Sequence, residues 1–297
     1  MPAVNAEPIT PMPFRGGPFR VRMGLTPIQP ADWLVIGPDY AGQIAEKRRL
    51  IAADRAAVWQ MLPQAEGAAA ELADVLAANL AVNHGAHFAL DAGRLENRLL
   101  GESEALPQGD LGAVIRHLQE DFCLLRPDAG DGLYRLTGAS LCFPANWKLA
   151  EKLGRPLIAI HEHVPDYEPA VGAGVDRFLQ RLDAGRLVTR ANWLLSDEPA
   201  LFQLGKRPLA HTIPVAEIGR KLAMRLERQC FCRLPETGAV VFSIRTFVHR
   251  LDEVVATPTD ARDLLAALSG MDGPALAYRH IGPVLPQLTD WLESRAA

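Results

Sequence analysis

Cysteine is scarce in this sequence. There are four, Cys123, Cys142, Cys230 and Cys232, in 297 residues. None forms a CxxC pair, which excludes the paired-cysteine zinc patterns. Cys230 and Cys232 are two apart and share one face if that segment is a strand, a poor spacing for bridging each other. The expectation is reduced thiols in a cytoplasmic protein. Long apolar runs are also missing. Nothing approaches the roughly 20 residues a membrane-spanning helix needs, and the first thirty residues, rich in Pro, Gly and Arg, lack the apolar core of a secretory signal. There is no GxGxxG after a strand, no GxxxxGK and no GxSxG, so dinucleotide, P-loop and nucleophile-elbow chemistries have no support. An excess of positive charge is absent too: the net charge is -4, without the long-range attraction of a nucleic-acid binder. No internal repeat is visible.

What the sequence does have is apolar material. Apolar residues make up 48% and charged residues 22%, enough to bury a substantial core. Residues 1–38 are proline-rich, which stops helices and removes ladder donors. They read as an extended surface segment anchored by Phe14, Phe19, Met23, Leu25 and Trp33, ahead of a single domain over 39–297. Helical spacing runs from Asp39 to Leu62, where Pro63 ends it, and again over Glu71 to Val82. His84 and His87 follow in a solvated turn. Residues 93–109 read as a loop and Leu111–Glu120 as a short helix. Phe122–Leu125 and Leu133–Phe143 read as strands around a hairpin turn. Asn146–Leu153 is a short helix, with Asn146 as N-cap and Gly154 as stop.

Val171–Leu182 is the next helix and Leu187–Leu195 the next strand. Leu222–Leu234 alternates, with Leu222, Met224, Leu226, Cys230, Cys232 and Leu234 on one face. Arg225, Glu227, Gln229 and Arg233 lie on the other, and Arg228 breaks the apolar face. The turn Pro235–Gly238 returns the chain into Ala239–His249 as a hairpin. Asp260–Ser269 and Pro283–Glu293 are helices around Tyr278-Arg279-His280. Strands in the middle with helices before and after indicate an α+β fold with an antiparallel sheet.

The densest chemistry lies in Ile160-His161-Glu162-His163-Val164-Pro165-Asp166-Tyr167, directly after the apolar run Leu157–Ile160. It has two imidazoles, two carboxylates and a phenol in eight residues. Two readings stay open on local residues alone. One is a polar turn that closes an apolar segment, with His161 hydrogen-bonded to a carbonyl. The other is a group that binds metal or moves protons.

Several segments, in order, resemble the heme-dependent oxidative N-demethylase alpha-subunit family. They are Pro13-Phe14-Arg15, Met23-Gly24-Leu25, Asp39–Arg49, Phe143-Pro144-Ala145-Asn146-Trp147 and Lys152–Pro156 running into Ile160-His161. Val164–Tyr167, Asp176-Arg177-Phe178, Arg190-Ala191-Asn192-Trp193, Leu226–Gln229, Arg233-Leu234-Pro235, Gly238–Phe242 and Tyr278-Arg279 follow. The resemblance implies a PAS-like antiparallel sheet with flanking N- and C-terminal helices and heme b in its pocket. It implies a monooxygenase that takes a methyl group from a small methylated amine as formaldehyde, using dioxygen. Electrons would come from a separate reductase carrying flavin and iron–sulfur, since no such motif occurs here. No nucleic acid and no membrane is expected as partner. The alternative is a PAS-like heme or gas sensor, or a small-ligand binding protein without turnover.

With that resemblance, His161 is the expected axial ligand of the heme iron. Where the family pattern has a proline after the next residue, this chain has His163, which would be a spectator, a distal group or a competing ligand. Heme propionates call for cations, and Arg190 and Arg228 are the candidates. Arg228 would otherwise pair with Glu227 of the neighbouring face or curl toward solvent. Trp193 would stack on the porphyrin or wall the cavity, with plain core as the other reading. Glu162 and Tyr167 are candidate proton donors. Glu227 would hold an ammonium, or else pair across strands with Arg245.

Overall fold

The segments on either side of the Pro235–Gly238 turn form the longest ladder of the molecule, eleven antiparallel pairs from Val240↔Arg233 to Arg250↔Ala223. The structure, a computed structural model, describes residues 12–20, 23–165, 167, 172–205, 209 and 213–297. Asp166, Val171 and the first eleven residues lie outside the described residues. In chain order the elements are β1 (Thr26–Ile28), α1 (Tyr40–Ala53), α2 (Arg55–Val58), β2 (Trp59–Met61), α3 (Glu66–Asn83), β3 (Phe88–Asp91), β4 (Arg94–Asn97), β5 (Glu102–Ala105) and α4 (Leu111–Ile115). Then come β6 (Asp121–Pro127), β7 (Tyr134–Ser140), α5 (Leu157–Ile160), α6 (Ala173–Arg181), β8 (Leu187–Ser196), α7 (Ile218–Lys221), β9 (Ala223–Arg233), β10 (Val240–Arg250), α8 (Leu251–Val254), α9 (Pro258–Ser269), α10 (Gly273–Tyr278) and α11 (Leu285–Ala296). Among the described residues no helix is long and apolar enough to cross a membrane.

The fold is α+β, as the element order predicts. Seven strands form one antiparallel sheet in the order β1-β8-β9-β10-β6-β7-β2, and β3, β4 and β5 form a second small sheet. Numbered along the chain, the five central strands β6 to β10 lie in the order 2-1-5-4-3. The helices α5 and α6 fill the connection between the second and third of them.

Residues paired across an antiparallel ladder share a face, and successive residues alternate. One face carries Leu187, Cys230, Cys232, Val241, Phe122 and Leu124, which pack with α3 and α4 residues such as Leu72, Leu76, Val114 and Ile115. Farther along the same face, Trp193, Leu195, Met224 and Leu226 pack with Leu264, Leu268, Leu288 and Trp291 of the C-terminal helices. We call this the helical face. The opposite face carries Val188, Phe231, Phe242, Val240 and Ile244, which pack with Leu157 and Ile160 of α5 and with Val175, Phe178 and Leu179 of α6. We call this the inner face.

Arg228 and Arg245 are direct cross-strand neighbours on the helical face, at the seam between its two apolar zones. Two guanidiniums side by side repel, so their position needs a reason. Both are spent on the N-terminal segment. Arg228 donates to the carbonyls of Asp32 and Trp33. Arg245 donates to the Val35 carbonyl, to Gln43 and to the Thr246 carbonyl. Trp33 closes the strap by donating from Nε1 to Ser243 Oγ at 2.9 Å. Gly37 lies so close that a Cβ there would sit 2.7 Å from Arg245 Nη2. Of the expected anchors in this segment, Phe14 and Trp33 are buried, while Phe19, Met23 and Leu25 are only partly covered.

Several local expectations differ from the structure. The helix from Asp39 stops at Ala53, because Asp54 takes an extended φ of -153° and caps α2 by accepting from the Ala57 N–H. The chain then runs into β2, which pairs with β7. The 93–109 loop contains two strands of the small sheet. Leu111–Glu120 is helical only through Ile115. Asn146 has a positive φ of 64° and is no N-cap; the helical turn there is a 3-10 helix over Leu149–Glu151. Gly154, at φ 78°, lies two residues past that turn's C-cap, Lys152.

Two buried charges hold the loop after β7. Lys47 Nζ lies 3.2 Å from Asp121 Oδ1, with exposures of 0% and 1%. The Asp121 carboxylate also accepts from the N–H groups of Cys142 and Phe143. Asp121→Ala would leave the Lys47 charge buried without a carboxylate. It should lower the unfolding free energy by about 3–5 kcal/mol, read by urea denaturation. The double variant Lys47→Met, Asp121→Leu should lose less, since neither charge is then stranded.

Candidate functional site

The segment around His161 is built from its neighbours upward. Pro156 bridges to Arg135 of β7, and Leu136 donates its N–H to the Arg155 carbonyl at 3.2 Å. The apolar run Leu157–Ile160 therefore starts from a fixed point on the sheet. It forms one helical turn, long enough to face Leu157 and Ile160 onto the inner face. Lys152 Nζ caps the turn by donating to the Ile160 carbonyl at 2.9 Å. His161 is its C-cap, and its N–H donates back to Leu157 and Ile158.

The imidazole itself is oriented twice. Nδ1 lies 2.8 Å from the Leu157 carbonyl oxygen. A carbonyl only accepts, so Nδ1 carries the proton and Nε2 keeps its lone pair. The Tyr167 ring stacks on the imidazole at 4.4 Å and 12°. Successive turn bonds, Val164 N–H to His161 and Tyr167 N–H to Val164, bring it there. Burial, with the nearby cations and His163, pushes the imidazole pKa down, against the Leu157 bond, which raises it. The ring is therefore neutral near pH 7, the form that donates to a metal.

Helix α6 closes the same space. Asp176 accepts the Tyr134 N–H at 3.0 Å. Arg233 donates from Nε to the Leu182 carbonyl at 2.6 Å, and also to Leu179 and to the Tyr134 hydroxyl. Below the helix, Phe178 meets Phe231 edge-on at 5.9 Å, and Phe231 stacks on Phe242 at 4.7 Å. All three rings are only partly buried.

Beyond these aromatics the inner face turns polar. Arg190 pairs with Gln229, and Asn192 with Glu227, which itself pairs with Thr246. Glu227 is 8% exposed and accepts from Gln229 Nε2 at 2.9 Å. Arg190 is half-buried, and its Nε is fully buried without a hydrogen-bond partner. Burial pushes the guanidinium pKa down, opposed by the charge of Glu227 and by Tyr167. The Tyr167 phenol is pushed up to about 12, by burial first and then by Asp176. Among the predicted site residues, His161, Tyr167, Arg190 and Glu227 thus share one side of the sheet.

The others are placed elsewhere. Glu162 is turned to solvent, with 64% of its side chain exposed, and pairs with Arg155 at 3.1 Å. His163 is exposed, with its ring 5.9 Å from that of Tyr278. Trp193 lies on the helical face, 3% exposed, against Phe14. Arg228 lies on that face too and is consumed by the Asp32 and Trp33 carbonyls, not by Glu227. Arg245 likewise faces away from Glu227, because it stands opposite Arg228 while Thr246 stands opposite Glu227.

One residue escaped the sequence reading as a site group. Arg279, the C-cap of α10, donates from Nη1 to the Trp193 carbonyl and stacks over Trp193 and Phe19 at 5.2 and 4.7 Å. Burial pushes its pKa down to about 10, and it feels the charges of Tyr278, Glu227 and Arg190. Its only advance signal was its place beside Tyr278 in a motif shared with the family.

The donor set fits a heme. A neutral imidazole with a free Nε2 lone pair and partly covered aromatics share the inner side of the sheet with Arg190, whose buried Nε has no hydrogen-bond partner. Glu227 is the carboxylate whose charge reaches Arg190, Arg225 and Arg279. Glu227→Gln should lower the unfolding free energy by about 1–3 kcal/mol, as expected when buried charges lose a partner. Glu162→Gln, at an exposed pair, should change it by less than about 1 kcal/mol. Urea titration of both variants checks the contrast.

The comparison with known families agrees with this chemistry. The model of the family described as "Haem-dependent oxidative N-demethylase, alpha subunit-like" matches residues 24–289. That span takes in the whole of the large sheet, both helices over its inner face, and every residue of the candidate site. The chain belongs to the haem-dependent oxidative N-demethylase, alpha subunit-like family.

Proposed function

We propose that this protein is a heme-dependent monooxygenase that oxidatively removes a methyl group from a small methylated amine. The observation that carries the reading is the tautomer of His161: its Nδ1 proton is committed to the Leu157 carbonyl, leaving Nε2 as the ligand atom. The Leu157 bond orients the ring, and the Tyr167 ring limits its rotation, as partners of metal-bound histidines do. Arg190 supplies positive charge for a propionate. The partly buried rings of Phe178, Phe231 and Phe242 supply an apolar wall for a macrocycle.

Heme, once bound there, supplies the oxygen activation that hydroxylates a C–H next to nitrogen. The protein's share is binding and proton placement. Glu227, buried among cations, holds the ammonium form of the amine and accepts its proton. The hydroxylated methyl group then leaves as formaldehyde and the shorter amine remains. Tyr167 holds its phenol proton through the neutral range, so it can donate a hydrogen bond but does not act as a base. Electrons come from a separate reductase carrying flavin and iron–sulfur, consistent with the subunit character in the family's name.

Hemin added to the porphyrin-free protein should give a Soret band, and His161→Gly should lose most of it. Imidazole added to His161→Gly should restore the band, which a merely structural defect would not allow. Full heme uptake with an unchanged spectrum in His161→Gly refutes the ligand assignment. Reduced protein exposed to oxygen with a panel of methylated amines should release formaldehyde. A stable oxygen complex with no amine-dependent turnover would instead mark a sensor.

A further inference from the structure

Helix α6 has two unlike sides. Val175, Phe178 and Leu179 turn onto the inner face of the sheet, and Phe178 meets Phe231 of the aromatic wall. Arg177 and Arg181 are exposed, four residues apart and therefore neighbours on the helix surface. Arg186, also exposed, follows in the turn that joins α6 to β8. Among the described residues none of the three makes an ion pair or a side-chain hydrogen bond. Many exposed arginines of the chain do lie against carboxylates, as Arg49 with Glu46, Arg98 with Glu96, Arg116 with Glu104 and Arg250 with Asp252.

Folding does not account for these three cations. Like charges at four-residue spacing weaken a helix. A cation in the last turn commonly serves the free carbonyls of the helix end, but Arg233 does that for α6, donating to the Leu179 and Leu182 carbonyls. Of the two carboxylates in residues 173–186, Asp176 is committed to the Tyr134 N–H and Asp183 is exposed. The stretch is thus locally basic, on a chain whose net charge is -4. A helix is about 10–12 Å across with its side chains. A partner resting on Arg177 and Arg181 therefore stands one helix diameter from the aromatic wall.

We propose that the outer side of α6, with Arg186, is the docking surface for the acidic iron–sulfur domain of the electron donor. The inference rests on the heme reading above and deepens it by giving the partner a charge and a place. An acidic partner is repelled by the chain as a whole and attracted here, which steers it to this face. One electron leaves the reduced iron–sulfur centre, which is oxidised, and enters ferric heme iron, which is reduced; no bond forms or breaks.

The probe is a plant-type [2Fe–2S] ferredoxin, a small acidic one-electron donor. Oxidised ferredoxin is titrated calorimetrically into the porphyrin-free protein. Reduced ferredoxin is mixed with the heme-loaded protein while the Soret band is followed. At low salt the double variant Arg177→Glu, Arg181→Glu should bind about tenfold more weakly and be reduced about tenfold more slowly, within the range of electrostatic steering. Arg186→Glu should give a smaller loss in the same direction. Salt at about 0.5 M should remove the difference, because the screening length is then only a few ångströms. Arg220→Glu makes the same change of charge on α7, which packs with the helical face, and should have little effect. Photoreduced deazariboflavin, small and uncharged, should reduce every variant alike, which controls for folding and heme loading.

Ferredoxin binding that is absent, indifferent to salt, or equal in wild type and double variant refutes the docking surface. So does a double variant that alters only the oligomeric state, which would mark the face as a contact between copies of this chain. If wild type takes up no hemin, the heme reading fails, and the titration on the porphyrin-free protein still decides the docking surface.

Discussion

The hydrogen bond from His161 Nδ1 to the Leu157 carbonyl is the contact on which the functional geometry depends. It is local, four residues apart, yet it works only because α5 is one turn long. Within a longer helix the Leu157 carbonyl would be bonded by the backbone alone, and the side chain at position 161 would point elsewhere. Here the turn ends at His161, the ring folds back onto the helix end, and Nε2 is left without a competing hydrogen. The short helix starts from β7 through Pro156 and Arg155. The imidazole is thus indexed to the sheet by a chain of backbone bonds, with no loop slack between.

The sheet separates two jobs. Its helical face does the folding work, with apolar zones against the N- and C-terminal helices and Arg228 and Arg245 fastening residues 32–37 across the seam. Its inner face carries aromatics under α5 and α6 and then a polar stretch of Arg190, Asn192, Glu227 and Gln229. Arg225 belongs to this inner face but does a structural task, donating to the Phe143 and Leu201 carbonyls to hold the flanking loops. With Arg233, four arginines of β9 and β10 therefore act as ties between distant backbone segments. Arg190 on β8 is left with no such duty. The contrast gives Arg190 its functional interest more than any property of the residue alone.

Much of this was legible in the chain. The period-2 alternation of 222–234 put Glu227 and Arg228 on opposite faces, and the register confirms it. The density of ionisable groups after Leu157–Ile160 drew attention to His161. What stayed hidden had physical causes. The strands β4 and β5, with sequences Arg94–Asn97 and Glu102–Ala105, bury few residues and show little apolar alternation. The strand β2 has three residues after a helical pattern, and only pairing with β7 makes it a strand. The two partners of Arg228 lie 195 and 196 residues away along the chain, so no local reading could distinguish a propionate from a carbonyl. Arg279 was silent because its place is set by Trp193, across the fold.

The sequence by itself determined the fold class, the long hairpin and which face each β9 residue takes. These follow from periodicity, turn chemistry and local composition, which act over a few residues. Only the tertiary structure decided which arginine is spent and which is spared, that Trp193 turns away from His161, and that Arg279 seats against Trp193. Those outcomes depend on which backbone carbonyls and carboxylates arrive beside each guanidinium. That is a property of the assembled sheet and its straps, and no stretch of chain carries it alone.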